Sequence, residues 1–175
     1  YMLHGMEGDQ TGLAMRVIVG KPGTQTPLFS DEMTYIVFSP YWNIPETILR
    51  DETLPRVVKD PEFLQRNNME VMGTSGTIDP TSIDWSYKSA TSRLRFRQRP
   101  GPSNALGLVK FIFPNQFSIY LHDTPGDRLF SREHRTFSHG CVRVEDPAAL
   151  AAYVLRDQPQ WTTRRIAAAM HGRQE

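Results

Sequence analysis

Cysteine is almost missing from this 175-residue chain: Cys141 is the only one, so no internal disulfide can form and any thiol chemistry rests on one sulfur. No apolar run approaches the roughly 18 residues a bilayer-spanning helix needs, so no membrane span is expected. The net charge is only +1, which excludes a global field drawing the chain to nucleic acid or an acidic membrane. Internal repeats and low-complexity tracts are also lacking, which sets aside solenoids and biased linkers. The chain opens at Tyr1 with no charged-then-apolar leader and reads as an excised or processed piece, so its compartment must be argued from its chemistry.

What is present describes a soluble, turn-rich globular protein: 39% hydrophobic, 22% charged, 13 Pro and 12 Gly. That length suits one domain with a real core and room for a small insertion. Charge is segregated. Residues 1–87 hold 6 basic against 12 acidic side chains, whereas residues 88–143 hold 10 against 3. The basic stretch runs into Cys141, so an anionic partner is expected there.

"LAMRVIVG" (13–20) and "MTYIVFSP" (33–40) are predicted strands, with "GKPGTQTP" as the turn between them. From Pro45 to about Gly101 the character changes. "DPEFLQRNN" predicts a helix with Asp60 as N-cap and Pro61 at its first position, and "GTSGTIDPTSIDW" reads as loop. In "RLRFRQR" (93–99), alternation puts Arg93, Arg95, Arg97 and Arg99 on one face. That face is either a solvated surface with Leu94 and Phe96 inward, or a rail for carboxylates. "LGLVKFIF" (106–113) and "FSIYLH" (117–122) are predicted strands joined by the short turn "PNQ". "DPAALAAYVLR" (146–156) is a predicted helix capped by Asp146 and opened by Pro147, and "WTTRRIAAAMHG" (161–172) a second that stops at Gly172. Strands, an insertion, more strands and then helices imply a mainly β (α+β) fold: a β core with attached helices.

Cys141 has three readings: an inert core thiol, a metal ligand or a nucleophile. A His-Gly-Cys run after polar Ser138 is poor core sequence. A zinc site using His122, His139 and Cys141 lacks a fourth ligand at a familiar spacing. A nucleophile needs a base, and cationic neighbours that favour the thiolate. If 138–144 is extended, His139, Cys141 and Arg143 project from one face, and Gly140 frees backbone amides for a developing oxyanion. Ser118, Tyr120 and His122 share a face if "FSIYLH" is a strand, and pairing it beside 138–144 brings His122 to Cys141. Papain-like order fails, because there the cysteine precedes its histidine; caspase-like order fits, but the flanking pattern does not.

"H-x(15)-S-H-G-C-V-R", from His122 to Arg143, resembles the signature of the YkuD-type L,D-transpeptidases of bacterial cell walls. "MRVIVGKPGTQTP", "FSPYWNIP", "GPSNALGLVKFIFPNQFSIYLHDTP" and "FSHGCVRVEDPAALA" are similar to the larger, YcbB-like branch. The resemblance implies a YkuD-like β-sandwich core from residues 1–45 and 101–175, with residues 46–100 as an inserted, partly helical capping subdomain. It implies Cys141 as nucleophile, His122 as general base, and the carbonyl of Asp123 orienting that imidazole. His139 and Gly140 would shape the oxyanion site, and Tyr120, Arg143, Ser138 and Trp42 would line the substrate groove. His4, in an opening segment unlike the family strand, is expected to be a surface residue and no ligand.

The implied reaction is acyl transfer between peptidoglycan stem peptides, giving 3→3 cross-links, with no cofactor or metal. Its partners would be a donor tetrapeptide stem, an acceptor amine, and carbapenem-type β-lactams as covalent inhibitors; its place would be periplasmic or facing the cell wall. Rival outcomes are L,D-carboxypeptidase action, attachment of a lipoprotein lysine, or a peptidoglycan-binding module with an inert thiol. A depressed pKa for Cys141 is expected of the catalytic readings and an ordinary one of the inert reading.

Overall fold

The computed structural model describes residues 1–60, 62–85 and 94–172. Strands dominate and the longest helices come last, so the fold is mainly β with attached helices. The chain opens with β1 (Met2–Glu7), β2 (Gln10–Gly20) and β3 (Tyr35–Phe38). Next come β4 (Trp42–Asn43), α1 (Glu46–Ile48), a π turn (Leu49–Thr53), α2 (Leu54–Lys59), α3 (Phe63–Arg66), β5 (Met69–Gly73), β6 (Gly76–Ile78) and β7 (Arg95–Gln98). Then follow β8 (Val109–Ile112), β9 (Leu121–His122), β10 (Thr136–Ser138), β11 (Val142–Val144), α4 (Pro147–Val154) and α5 (Thr163–His171). Two compact units result, residues 1–40 with 106–175, and residues 41–105. Among the described residues no helix is long and apolar enough to cross a membrane.

In the first unit the strand order is β1-β2-β11-β9-β8-β3, with β10 pairing β2 in a side branch. The β1–β2 hairpin was not expected. Glu7 pairs with Gln10, leaving Gly8–Asp9 as a two-residue turn, and Gly8 sits at φ +61°, where a Cβ is disfavoured. His4 is exposed on β1. Asp146 accepts the Ala149 amide at 2.9 Å to start α4, and Thr162 caps α5 through the Arg165 amide. Leu150, Ala151, Ile166 and Met170 of these helices share one core with Met15, Val17, Val109, Phe111 and Val144 of the sheet. Each large side chain so buried contributes about 1.5–3 kcal/mol.

That core fixes the opposite face by alternation. With Val109, Phe111 and Val144 turned to the helices and Leu121 packed against the same core, Lys110, His122 and Arg143 point the other way. Their register is continuous: Lys110 pairs with His122, His122 with Arg143, and Arg143 with Ile18.

Two expected strands are shorter than predicted. "FSIYLH" is a strand only at Leu121–His122, because Ser118 adopts φ +55°. The face shared by Tyr120 and His122 therefore does not extend to Ser118. Residues 138–144 are not one strand either: β10 ends at Ser138, Gly140 lies at φ +122°, and β11 starts at Val142. His139, Cys141 and Arg143 thus form no simple row.

The second unit is a four-stranded sheet, β4-β7-β5-β6, over a core of Ile44, Leu49, Val57, Leu64, Val71 and Phe96. The segment read as loop holds the turn and second strand of the β5–β6 hairpin, with Gly76 at φ +122°. Asp60 ends α2 and pairs with Arg66 instead of capping a helix; α3 begins at Phe63, and Pro61 lies outside the described residues. Phe96 points inward at 2% exposure. Arg97 and Arg99 donate through Nε to the buried Glu70 at 2.5 and 2.7 Å, so two arginines of the basic strand hold the protein's own carboxylate. Arg95 is exposed, and Arg93 lies outside the described residues.

Candidate active site

Cys141 lies between Gly140, at the break after β10, and Val142, which opens β11. Parallel pairing of β9 with β11 sets Leu121 beside Val142, and the Val142 amide donates to the Tyr120 carbonyl at 3.1 Å. The sulfur is therefore next to Tyr120, two residues ahead of the His122–Arg143 pair. Its thiol donates to the Ser118 carbonyl at 3.8 Å, while the backbone N–H and the phenol of Tyr120 both face the sulfur. The Tyr120 and His122 rings tilt together at 5.7 Å between centroids.

His122 is buried at 5% exposure. Its Nδ1 meets the Asp123 carbonyl at 2.5 Å. A carbonyl only accepts, so the proton of the neutral ring sits on Nδ1 and Nε2 is left as the basic nitrogen. The Asp123 carboxylate is used elsewhere, accepting the Leu108 and Thr124 amides at 2.8 and 2.7 Å.

Burial dominates the electrostatics. It pushes the Cys141 thiol above its ordinary value, against hydrogen bonds from Tyr120 and the positive charges of Arg143 and Lys110. The expectation of a depressed thiol pKa is therefore not met: losing solvation outweighs the cations. Burial also takes the imidazole of His122 down to about 3, against its bond to Asp123, with Arg143 and Lys110 pushing the same way. Thiol and neutral imidazole are therefore the resting forms, and nucleophilic attack from that state would need general-base assistance. Burial raises the Tyr120 phenol far above its usual range, and the neighbouring sulfur adds to the shift.

The turn carrying the cysteine is built by hydroxyls. Ser138, 2% exposed, donates to the Cys141 carbonyl at 2.6 Å and accepts the Gly140 amide at 3.1 Å. The Ser138 hydroxyl thus closes the turn and holds the Gly140 amide. What Gly140 supplies is its backbone angle, φ +122°, which residues with a Cβ rarely adopt. For the Cys141 amide no acceptor is found among the described residues. Lys21 donates to Nε2 of the exposed His139 at 3.4 Å. Trp42 belongs to the second unit, where it packs against that unit's core. Among the described residues no three His, Cys, Asp or Glu side chains gather as they would round a metal.

Other residues on which the site depends were not foreseen. Thr26 accepts the Gly20 amide at 3.0 Å and donates to the Gly140 carbonyl at 2.7 Å, tying the 21–34 loop to the cysteine turn. Asn115 staples its own loop with four bonds. It donates to the Phe113 and Ile119 carbonyls at 2.7 Å each, and accepts the Phe117 and Ile119 amides at 3.0 and 3.1 Å. That loop holds the Ser118 carbonyl against the sulfur. A Pro-Asn pair at a turn was the available signal.

A model of the YkuD family, described as the L,D-transpeptidase catalytic domain, matches residues 1–162. A Haemophilus influenzae protein named "Putative L,D-transpeptidase" is 39% identical over 154 residues, covering 87% of this chain. The match spans 31% of that relative's own length.

Proposed function

Because the chain belongs to the YkuD family of L,D-transpeptidase catalytic domains, we propose that it forms 3→3 cross-links between peptidoglycan stem peptides through a thioester on Cys141. The observation that carries this reading is the imidazole of His122, locked by the Asp123 carbonyl with Nε2 unprotonated, on the strand paired beside the cysteine. The sulfur attacks the carbonyl carbon of the third stem residue, a diamino acid, as His122 takes the thiol proton. The Cys141 amide faces the oxyanion that forms. Collapse breaks the bond to the terminal D-Ala, whose amine leaves with the proton from His122. The side-chain amine of a second stem then attacks the thioester, loses a proton through His122, and returns Cys141 as thiol.

The inserted unit, residues 41–105, is read as the family's capping subdomain, which favours amine over water at the thioester. Exchanging residues 46–100 for a short linker should raise hydrolysis relative to cross-linking in any variant that keeps a cooperative melt; an unchanged ratio rejects the role. The setting is periplasmic or facing the cell wall, where the substrate is found. A carbapenem should acylate Cys141 by opening of its lactam amide, adding the intact inhibitor mass.

The deciding experiment is incubation with purified tetrapeptide muropeptides and mass analysis of products. Cross-linked dimers with released D-Ala support the proposal. Tripeptides alone point to an L,D-carboxypeptidase, a stem–lysine conjugate formed only when a lipoprotein lysine is supplied points to attachment, and no turnover with intact substrate points to a binding module.

A further inference from the structure

The histidine of the site is flanked by cations on both sides. Lys110, His122 and Arg143 occupy consecutive register positions on three neighbouring strands, on the sheet face away from the helices. Adjacent strands lie about 4.8 Å apart, so both basic side chains start next to the imidazole. Lys110 Nζ rests over the Tyr120 ring, 5.4 Å from its centroid, and Tyr120 in turn faces the sulfur. The Arg143 Nε is buried without a hydrogen-bond partner. Neither cation has a carboxylate counterion among the described residues. Two half-buried positive groups without an anion are costly unless negative charge arrives during the reaction.

We propose that Lys110 is a positioning residue for the nucleophile: its ammonium, held over Tyr120 and opposite Arg143, favours negative charge on the Cys141 sulfur and forbids a lasting imidazolium on His122. The proton taken from sulfur therefore passes on to the departing amine instead of resting on the ring. This deepens the acyl-transfer reading and rests on it for the fate of the proton. The groups facing the sulfur and ring are Lys110 from β8, Tyr120 and His122 at β9, and Arg143 from β11, with Lys21 and His139 at the turn. The electrostatic balance agrees, since the sulfur is the charge that both Lys110 and Arg143 sense.

The test is the pH dependence of iodoacetamide alkylation of Cys141, which needs no substrate. In Lys110→Met the midpoint should rise by about one pH unit, a roughly tenfold slower reaction at fixed pH below it. Lys110→Arg should restore the wild-type midpoint, a rescue that a purely packing role does not predict. If the Met variant melts early, Lys110→Gln supplies the same comparison. An unmoved or lowered midpoint in a folded uncharged variant overturns the proposal. A raised midpoint alongside failed muropeptide turnover by the wild type sinks the acyl-transfer reading and leaves the electrostatic role of Lys110 standing.

Discussion

Removing the side chain of Asn115 should loosen the site in two measurable and opposite ways. Asn115→Ala deletes two donations to carbonyls and two acceptances from amides, all inside the loop of residues 113–119. At ~0.5–1.5 kcal/mol per bond, with water replacing part of the loss in a half-buried loop, the cost is about 2–3 kcal/mol. That predicts a melting midpoint lower by roughly 5–10 °C in a chain of this length. Ser118, held at φ +55° by this staple, then relaxes toward ordinary backbone and withdraws its carbonyl from the sulfur. The thiol loses its acceptor and gains water, so alkylation by iodoacetamide at pH 7 should quicken. Acylation by a tetrapeptide donor should slow, because the sulfur is no longer held. The assays are a thermal melt, alkylation kinetics and intact-mass kinetics with donor. A melt within about 1 °C of wild type, with both rates unchanged, would refute the role given to the staple.

Gly140→Ala should cost about 1–3 kcal/mol for a side chain at φ +122° and slow acylation at least tenfold; a variant that acylates as fast as wild type contradicts the claim that this angle places the sulfur. In the second unit, burial would raise the Glu70 carboxyl, but hydrogen bonds from Arg99 and Arg97 overcome it and hold it below the usual range. A depressed folded pKa contributes stability above the unfolded value and loses it as pH falls through the folded one. Glu70→Gln should therefore cost about 1–2 kcal/mol at pH 7, discounted for the exposed arginines, and the gap in urea midpoint should close towards pH 3; a constant gap would reject the ion pair as its cause.

Much of the scaffold was legible because local chemistry and tertiary packing agree. Asp146-Pro147 started α4 as its capping chemistry requires, the apolar run at 13–20 lies within β2, and the run at 106–113 contains β8. Legibility failed where one residue breaks a period. Ser118 and Gly140, both at positive φ, cut strands that alternation alone would continue, so the faces assigned to Ser118, His139 and Cys141 dissolved. Thr24 and Thr26 of the 21–34 loop donate to the backbone carbonyls of Ser138 and Gly140, in a turn more than 100 residues away. No local pattern encodes such partners. The thiol's acidity was misjudged for a related reason. Charge can be read from sequence, whereas the burial of Cys141 and His122, which outweighs that charge, comes only with the fold.

The central claim is that Cys141 carries a stem fragment as a thioester made with the help of His122. It is tested most directly by acid-quenching a reaction with a tetrapeptide donor, then weighing the intact protein and mapping its peptides. The account predicts one tripeptide-stem adduct on the peptide containing Cys141, one D-Ala released per adduct, and no adduct in a folded His122→Ala variant. An adduct on any other residue, or full acylation of His122→Ala, would contradict it.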